Sequence, residues 1–486
     1  MAKMRLAEGS TLDGFTIGQI AHRGGMAIFY EVTHPDHPQP LLMKVPIMRE
    51  GEDPAAIVGF EMEMMILPRL SGPHVPRFIA AGTFDKQPYL AYERVIGHTL
   101  YKLLDKLPLP PLQVAAIGAK TATALHAVHA QHVIHLDLKP SNVILRESDG
   151  EAVLIDYGLS HHGQLPDLLA EEFRLPYGTA PYMAPEQVYG VRNDPRSDLF
   201  ALGVLMYFFA TNVRPFGDPQ RLKGLQRRVW DDPMPPRKLA PDMPPWLQEI
   251  ILRCLAPDAE ARHPTAAQLA FDLTHPDQVQ LTPRAVRLAR DPWSVRIKRR
   301  LHPDAFRPGQ KRATSIDNRL NAAPIVVVAI DLAEDHRAIG QAMRHAVMRV
   351  LPTVPGARLA CINVLKLNRV KIDEALDADG NSIHAQRLAE LREWARTIPI
   401  ATERITCHVL ESVDPAAALL DYARANTVDH VIMGASTGSR LRHLLGSVAS
   451  TVVEQAPCTV TVVRQRHDDA APDRSPRSNE PAGKER

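Results

Sequence analysis

Cysteine is scarce in this chain. The four present (Cys254, Cys361, Cys407 and Cys458) are far apart and form no C-x-x-C pair. That argues against both a disulfide framework and a zinc site, and it points to a reducing, cytoplasmic setting. Long apolar runs are missing too. The most apolar part, Leu199 to Ala210, has Asp198 and Arg214 close by and falls short of the ~20 residues that cross a bilayer. The first residues, Met1-Ala2-Lys3-Met4-Arg5-Leu6-Ala7-Glu8, lack the apolar centre of a signal peptide, so no membrane partner is expected. Neither sign of charge dominates: a formal charge of +2 gives no reason to expect nucleic acid as a partner. What remains is 486 residues of ordinary hydrophobic content, 45%, enough for about two to four separate cores.

Against that background one stretch concentrates chemistry. His135-Leu136-Asp137-Leu138-Lys139-Pro140-Ser141-Asn142 is followed, fourteen residues after Asn142, by Asp156-Tyr157-Gly158. Two aspartates, a lysine and an asparagine are what phosphoryl transfer needs. One group orients a hydroxyl, a cation meets the γ-phosphate, and two oxygens bind Mg²⁺. A lone H-x-D means little, but the combined spacing is specific. Upstream, Phe15 to Ile20 alternates like a strand, His22-Arg23-Gly24-Gly25-Met26-Ala27 turns it, and Ile28 to Val32 returns. A glycine turn lets backbone N–H groups approach phosphates without side chains in the way. Leu41-Leu42-Met43-Lys44-Val45 is an apolar strand with one lysine, and Phe60 to Leu67 supplies a helix carrying Glu61 and Glu63. From Leu112 to His132 the apolar residues Val114, Ile117, Ala124, Leu125 and Val128 recur at helical spacing and form a platform for the loop.

These motifs resemble the protein kinase family over residues 11–275, with an N-lobe of about 11–95 and a C-lobe of about 96–275. The Lys-Pro variant of the loop is similar to serine/threonine rather than tyrosine kinases. The resemblance implies a bilobal α+β fold, with ATP and Mg²⁺ (Mn²⁺ as an alternative) as cofactors and protein hydroxyls as substrates. It makes Asp137 and Lys139 catalytic, with Lys44 on the α- and β-phosphates and held by a glutamate. Register against Leu70 and Pro73 favours Glu63 over Glu61 for that glutamate. Asn142 and Asp156 become the metal ligands. Gly24 and Gly25 fall in the phosphate loop, although His22 and Ala27 stand where glycines are usual. Phe29 and Leu42 would line the adenine pocket in place of smaller residues. Tyr92 would stand behind that pocket, and the backbone near Glu93 and Val95 would read the adenine edge. Gly178-Thr179-Ala180-Pro181-Tyr182-Met183-Ala184-Pro185-Glu186 resembles the loop that docks substrate, with Thr179 bonding towards Asp137. Asp198 would anchor the catalytic loop, and Arg262 would pair with Glu186.

Two departures bear on regulation. Leu136 stands where many kinases have an arginine that receives an activation-segment phosphate. Between Ser160 and Thr179 there is no serine or threonine, only Tyr177, with acidic residues Asp167, Glu171 and Glu172 instead. The expectation is activity that does not wait for phosphorylation of this segment. The alternative is a catalytically weak or inactive nucleotide-binding scaffold, disabled by its altered glycine loop, Phe29 and Leu42.

Residues 276–322 hold eleven Lys/Arg against four aspartates, with frequent prolines, and read as a solvated basic linker. The spacing of Arg284, Arg287 and Arg290 suggests one charged helical face. Thr314 and Ser315, after Lys311-Arg312-Ala313, suit a basic-directed phosphosite. From residue 323 to 466, five apolar strands alternate with helices, a doubly wound α/β pattern. Val328-Ala329-Ile330-Asp331, Val431-Ile432-Met433-Gly434-Ala435-Ser436 and Gly446-Ser447-Val448-Ala449 resemble the universal stress protein family. Some of its members bind ATP through a glycine loop. Here Thr437 replaces its second glycine, with Gly438 one position off. By that resemblance Asp331 would meet adenosine, and Gly434, Gly446 and Ser447 would cradle phosphates of a second nucleotide. The same resemblance implies a homodimer paired through the edge strand Thr459 to Val463. Residues 467–486 have the composition of a disordered tail.

Overall fold

A computed structural model describes residues 6–47, 54–84, 86–173, 176–301, 324–332, 337–367, 382–401, 404–435 and 446–464. Thr314, Ser315, Thr437, Gly438 and the tail 467–486 lie outside the described residues.

The alternation in the first hundred residues builds an antiparallel sheet. Its strands are β1 (Thr11–Leu12), β2 (Phe15–Arg23), β3 (Ala27–His34), β4 (His37–Pro46), β5 (Phe78–Ala81) and β6 (Leu90–Glu93), in the order β1-β2-β3-β4-β6-β5. Side chains of period two divide between its faces. Phe15, Ile17, Tyr30, Val32, Leu41, Met43 and Val45 form a closed apolar layer on one face. The register pairs Phe29 with Lys44 and Glu31 with Leu42, so these four share the opposite face. Helix α1 (Pro54–Ile66) is apolar nearly all round, and its Glu61 and Glu63 are themselves buried. A helix of that kind has to be covered on more than one side.

The larger lobe is helical. Helix α2 (Pro111–His129) packs Val114, Ile117, Leu125 and Val128 into the same core as the wholly apolar face of α5 (Arg196–Thr211). The short strand β7 (Gly97–Thr99) precedes α2, and between the two helices run β8 (Val133–Ile134), β9 (Val143–Arg146), β10 (Ala152–Leu154) and β11 (His161–His162), then α3 (Leu168–Glu172) and α4 (Pro185–Val188). Strands β9 and β10 form a hairpin whose open end, where Val143 pairs with Leu154, sets Asn142 and Asp156 side by side.

The basic stretch after residue 276 differs from its solvated reading. Its first part lies along this lobe. Arg284 pairs with Glu249 (3.4 Å), Arg287 with Asp232 (3.2 Å), Arg296 with Asp231 (2.6 Å) and Arg299 with Asp291 (2.7 Å). Gln248 also donates to the carbonyls of Arg284 and Arg287 at 2.7 and 2.9 Å. The 3₁₀ turn Pro283–Ala285 ends before a helical face can form, so the arginines separate to different carboxylates.

The second domain is a parallel sheet of β12 (Ile325–Ala329), β13 (Arg358–Lys366), β14 (Ile405–Ser412), β15 (His430–Gly434) and β16 (Thr459–Val463), ordered β14-β13-β12-β15-β16. Strands buried on both faces read as unbroken apolar runs, as Ile325-Val326-Val327-Val328 does. Helices Arg337–Val350 and Ile383–Ala395 cover one face; Pro415–Ala425 and Ser447–Gln455 cover the other. The two domains touch. Ile57 and Phe60 of α1, with Phe84 and Leu90, belong to the same continuous apolar cluster as Leu388, Leu391 and Trp394 of the second domain.

Candidate active site

The catalytic loop begins with a strained residue. Leu136 has φ 61°, in the left-handed region that costs a branched side chain ~1–2 kcal/mol. Surrounding groups hold it there. Asp198, fully buried at the start of α5, accepts the His135 N–H on Oδ2 and the Leu136 N–H on Oδ1, each at 2.8 Å. His129 Nε2 lies 2.8 Å from Asp198 Oδ2, and Gln187 donates to the Leu136 carbonyl at 2.8 Å. Burial raises the pKa of the Asp198 carboxyl, but the bonds from His129 and the loop more than reverse this and set it below the ordinary value.

The next residue, Asp137, is buried and held on both oxygens. Thr179 donates to Oδ1 from its N–H (2.9 Å) and its hydroxyl (2.7 Å). Lys139 and Asn142 donate to Oδ2 at 2.6 and 3.3 Å. A carboxylate offers about four lone-pair sites, and all of them are engaged. An incoming hydroxyl therefore has to displace one donor. Of the two donors on Oδ2, Lys139 is the more accessible, its side chain 26% exposed while Asn142 is buried. Moving Lys139 outward would free Oδ2 for the hydroxyl proton and bring the ammonium towards the phosphoryl group.

Across the cleft, Lys44 Nζ lies 2.5 Å from Glu63 and 2.9 Å from Asp156. Burial alone would lower the Lys44 pKa, but Asp156 and Glu63 together push it above its usual range. Lys44 in turn holds Asp156 down to about 2, so both groups are charged across the working pH range. Glu61, two residues from Glu63, faces Arg392 of the second domain. Tyr157 is buried, accepts no exposure to the cleft, and donates its hydroxyl to the Leu154 carbonyl at 3.1 Å. Beside it, α1 approaches at two glycines: a Cβ on Gly59 would sit 3.1 Å from the Gly158 carbonyl oxygen.

The donor set suits ATP with a divalent cation. Asn142 turns its Nδ2 towards Asp137, and its Oδ1, which accepts from the Ser141 hydroxyl at 3.2 Å, is the oxygen that would meet a cation. Asp156, 43% exposed and ionised, would supply the other. Among the described residues no three His, Cys, Asp or Glu side chains converge on a metal position. A hard cation here would complete its shell with phosphate and water oxygens, as Mg²⁺ does. Bound there, it would neutralise charge building on the phosphates. Phe29 and Leu42 share the cleft face with Lys44, and the Lys44 ammonium is 5.8 Å from the Phe29 ring centre. Gly24 N–H bonds to the Ala27 carbonyl at 2.9 Å, closing the tight turn at Gly24 and Gly25. Glu93 and Arg94 N–H groups go to the Arg77 and Pro40 carbonyls, 2.9 Å each, which leaves Val95 as the next N–H along the connector.

Residues 15–272, just over half of the chain, match the family described as protein kinase domain. The chain belongs to the protein kinase family. Residues 324–464 match the universal stress protein family, so the kinase domain is joined to a universal stress protein domain. Similar curated proteins are named serine/threonine-protein kinases. PknB of Mycolicibacterium smegmatis is 27% identical over 56% of this chain and 45% of its own length. PknL of Mycobacterium tuberculosis is 29% identical over 51% of this chain and 62% of its own. The chain therefore spans between about half and two thirds of the length of these two relatives. The solved kinase domain of Mycobacterium tuberculosis PknI is 25% identical, with TM-score 0.44, covering 55% of this chain and 98% of that one.

The supporting residues of the kinase domain meet as well. Arg262 and Glu186 form a two-pronged buried pair at 2.6 and 2.8 Å, and Ser197 adds a bond to Glu186 at 2.7 Å. Sequence reasoning overlooked His129, Gln187, Ser197 and the Gly59–Gly158 contact. Gly59, lying inside an apolar helix, was the one with a visible signal. In the universal stress protein domain, Asp331, Gly434, Gly446 and Ser447 line one cavity of about 410 Å³, together with Pro415 and Leu419.

Proposed function

We propose that the chain is an ATP- and Mg²⁺-dependent protein serine/threonine kinase, competent without phosphate on its activation segment. The observation that carries this reading is the closed Lys44–Glu63 pair opposite an Asp137 already oriented by Thr179, Lys139 and Asn142. In this reading Asp137 takes the substrate hydroxyl proton, and Lys139 moves from Asp137 to the transferred phosphoryl. Lys44 holds the α- and β-phosphates, and Asn142 and Asp156 hold the cation. Thr179 keeps the Asp137 carboxylate in plane throughout. The shared cavity at Asp331, Gly434, Gly446 and Ser447 supports a second nucleotide site. At its mouth the helix Ser447–Gln455 begins with Gly446 as its cap, and backbone N–H groups there suit a phosphate. Strand β16, at the edge of the sheet, supports a homodimer.

The test is transfer of labelled phosphate from ATP with Mg²⁺ to protein, alongside Asp137→Asn and Lys44→Met. Label that disappears in both variants supports the kinase. Equal background in all three favours a nucleotide-binding scaffold, the reading that the bulk of Phe29 and Leu42 would fit.

A further inference from the structure

The acidic residues of the activation segment do not face solvent. Glu171, on α3, is buried and takes three donors from the universal stress protein domain. Arg358 Nη2 lies 2.7 Å from Oε1, and the Tyr422 hydroxyl and His408 Nε2 lie 2.9 and 3.0 Å from Oε2. The Glu171 carbonyl accepts from Asn426 at 3.3 Å. Glu172 Oε1 sits 2.7 Å from the other nitrogen of the same imidazole, His408 Nδ1. His408 is thus clasped between two carboxylates, with the Tyr422 ring 5.4 Å away and Thr406 bonded at 3.0 Å. Burial would lower the His408 pKa, but Glu171 and Glu172 push it up to about 10, so it is a cation at neutral pH.

A second grip falls on α1. Glu61 meets Arg392, whose guanidinium lies 4.3 Å over the Phe84 ring, amid the shared apolar cluster. Both grips touch parts whose position decides catalysis. Helix α1 carries Glu63 to Lys44, and the activation segment ends at Thr179 on Asp137. A five-residue helix such as α3 has too few bonds to persist alone. Many kinases fix this segment with a phosphate received by arginines. Here the charges are reversed in origin: the segment supplies fixed carboxylates, and the cations come from the second domain.

We infer that the universal stress protein domain is a built-in activation clamp, gripping α1 at Glu61 and the activation segment at Glu171 and Glu172. Glu61, Glu171, Glu172, Arg358, Arg392 and His408 are then positioning residues for phosphoryl transfer. The clamp is an activator rather than a brake because the catalytic contacts are all closed while it is engaged. The inference rests on the kinase reading above.

The test uses the full chain. One variant carries Glu171→Gln with Glu172→Gln. A second removes both partners of the other grip, Glu61→Gln with Arg392→Met, so that no charge is left orphaned. Glu172→Asp serves as the conservative control. Steady-state phosphate transfer is measured with hydrogen exchange. The clamp predicts a kcat at least tenfold lower in each double variant, and faster exchange confined to residues 54–66 and 168–172. It predicts that Glu172→Asp keeps most of the rate. If the first variant loses protection across the universal stress protein sheet as well, the second decides. A kcat within twofold of the parent, or one that rises, overturns the clamp. A parent chain that transfers no phosphate defeats the kinase reading instead, which separates the two failures.

Discussion

Asp198 offers the sharpest test of how the catalytic loop is held. Its two oxygens serve two adjacent backbone N–H groups, Oδ2 for His135 and Oδ1 for Leu136. Asn in place of Asp198 has one oxygen, so whichever way the amide turns, one N–H must face an NH₂ group. Keeping oxygen towards His135 and His129 orphans Leu136, the residue at φ 61°. A bond to a charged acceptor contributes about 1.5–3 kcal/mol, and a buried donor left unmade costs about 1–3 kcal/mol. The site is fully buried, so little of this is recovered from water. Asp198→Asn is therefore expected to destabilise the kinase domain by about 3–5 kcal/mol. Leu136 then has less to hold it in the left-handed region, and the next residue is Asp137. A lowering of kcat by tenfold or more follows from only ~1.4 kcal/mol of lost transition-state stabilisation. Urea unfolding and steady-state kinetics on the same preparation check both numbers. A loss below ~1 kcal/mol with unchanged kcat would refute the idea that Asp198 stores and orients the strained loop.

The clasp around His408 sets a pH dependence. Its folded pKa of about 10 lies above the ordinary 6.5, so its stabilisation is complete below about 6.5 and lost as pH rises through about 10. Thermal melts across that window should show an alkaline decline that His408→Gln flattens. Gly59→Ala should gain helix propensity, ~1 kcal/mol, while its Cβ presses on the Gly158 carbonyl. Melting should move little, yet the KM for Mg²⁺-ATP should rise because Asp156 is two residues away. Arg262→Met leaves the buried Glu186 carboxylate without its guanidinium and should cost about 3–5 kcal/mol in a denaturant titration.

The parts of the site that were legible share one property: their residues are close in sequence or sit on one face of a regular element. Asp137, Lys139 and Asn142 lie within six positions, and the β9–β10 hairpin fixes Asp156 relative to them. The choice of Glu63 over Glu61 could be made because a helix turns adjacent residues to different sides. The doubly wound pattern of the second domain followed from unbroken apolar runs alternating with helices. The clamp was not legible, because its partners lie 187 positions apart or more and nothing local marks them. Glu171 and Glu172 were visible as acidic residues, but sequence could not say which cation they would meet. The arginines after residue 276 misled for the same reason, since Glu249, Asp231 and Asp232, which receive three of them, come from the preceding lobe. Leu136 looked like a missing phosphate receptor, and only the backbone angle showed that its position is also a strained one.

The helix Pro415–Ala425 has one end at the cavity and the other at the clasp. Pro415 and Leu419 line the cavity, Tyr422 bonds to Glu171, and Asn426, its cap, bonds to the Glu171 carbonyl. Eleven residues at 1.5 Å each make it a rod of about 16 Å. Linkage then imposes a symmetry on the two ends. A cavity ligand that raises the affinity for ATP by some factor, by favouring the clasped arrangement, must find its own affinity raised by that same factor when ATP is bound. A ligand indifferent to the clasp, however tightly it binds, would leave the kinase untouched.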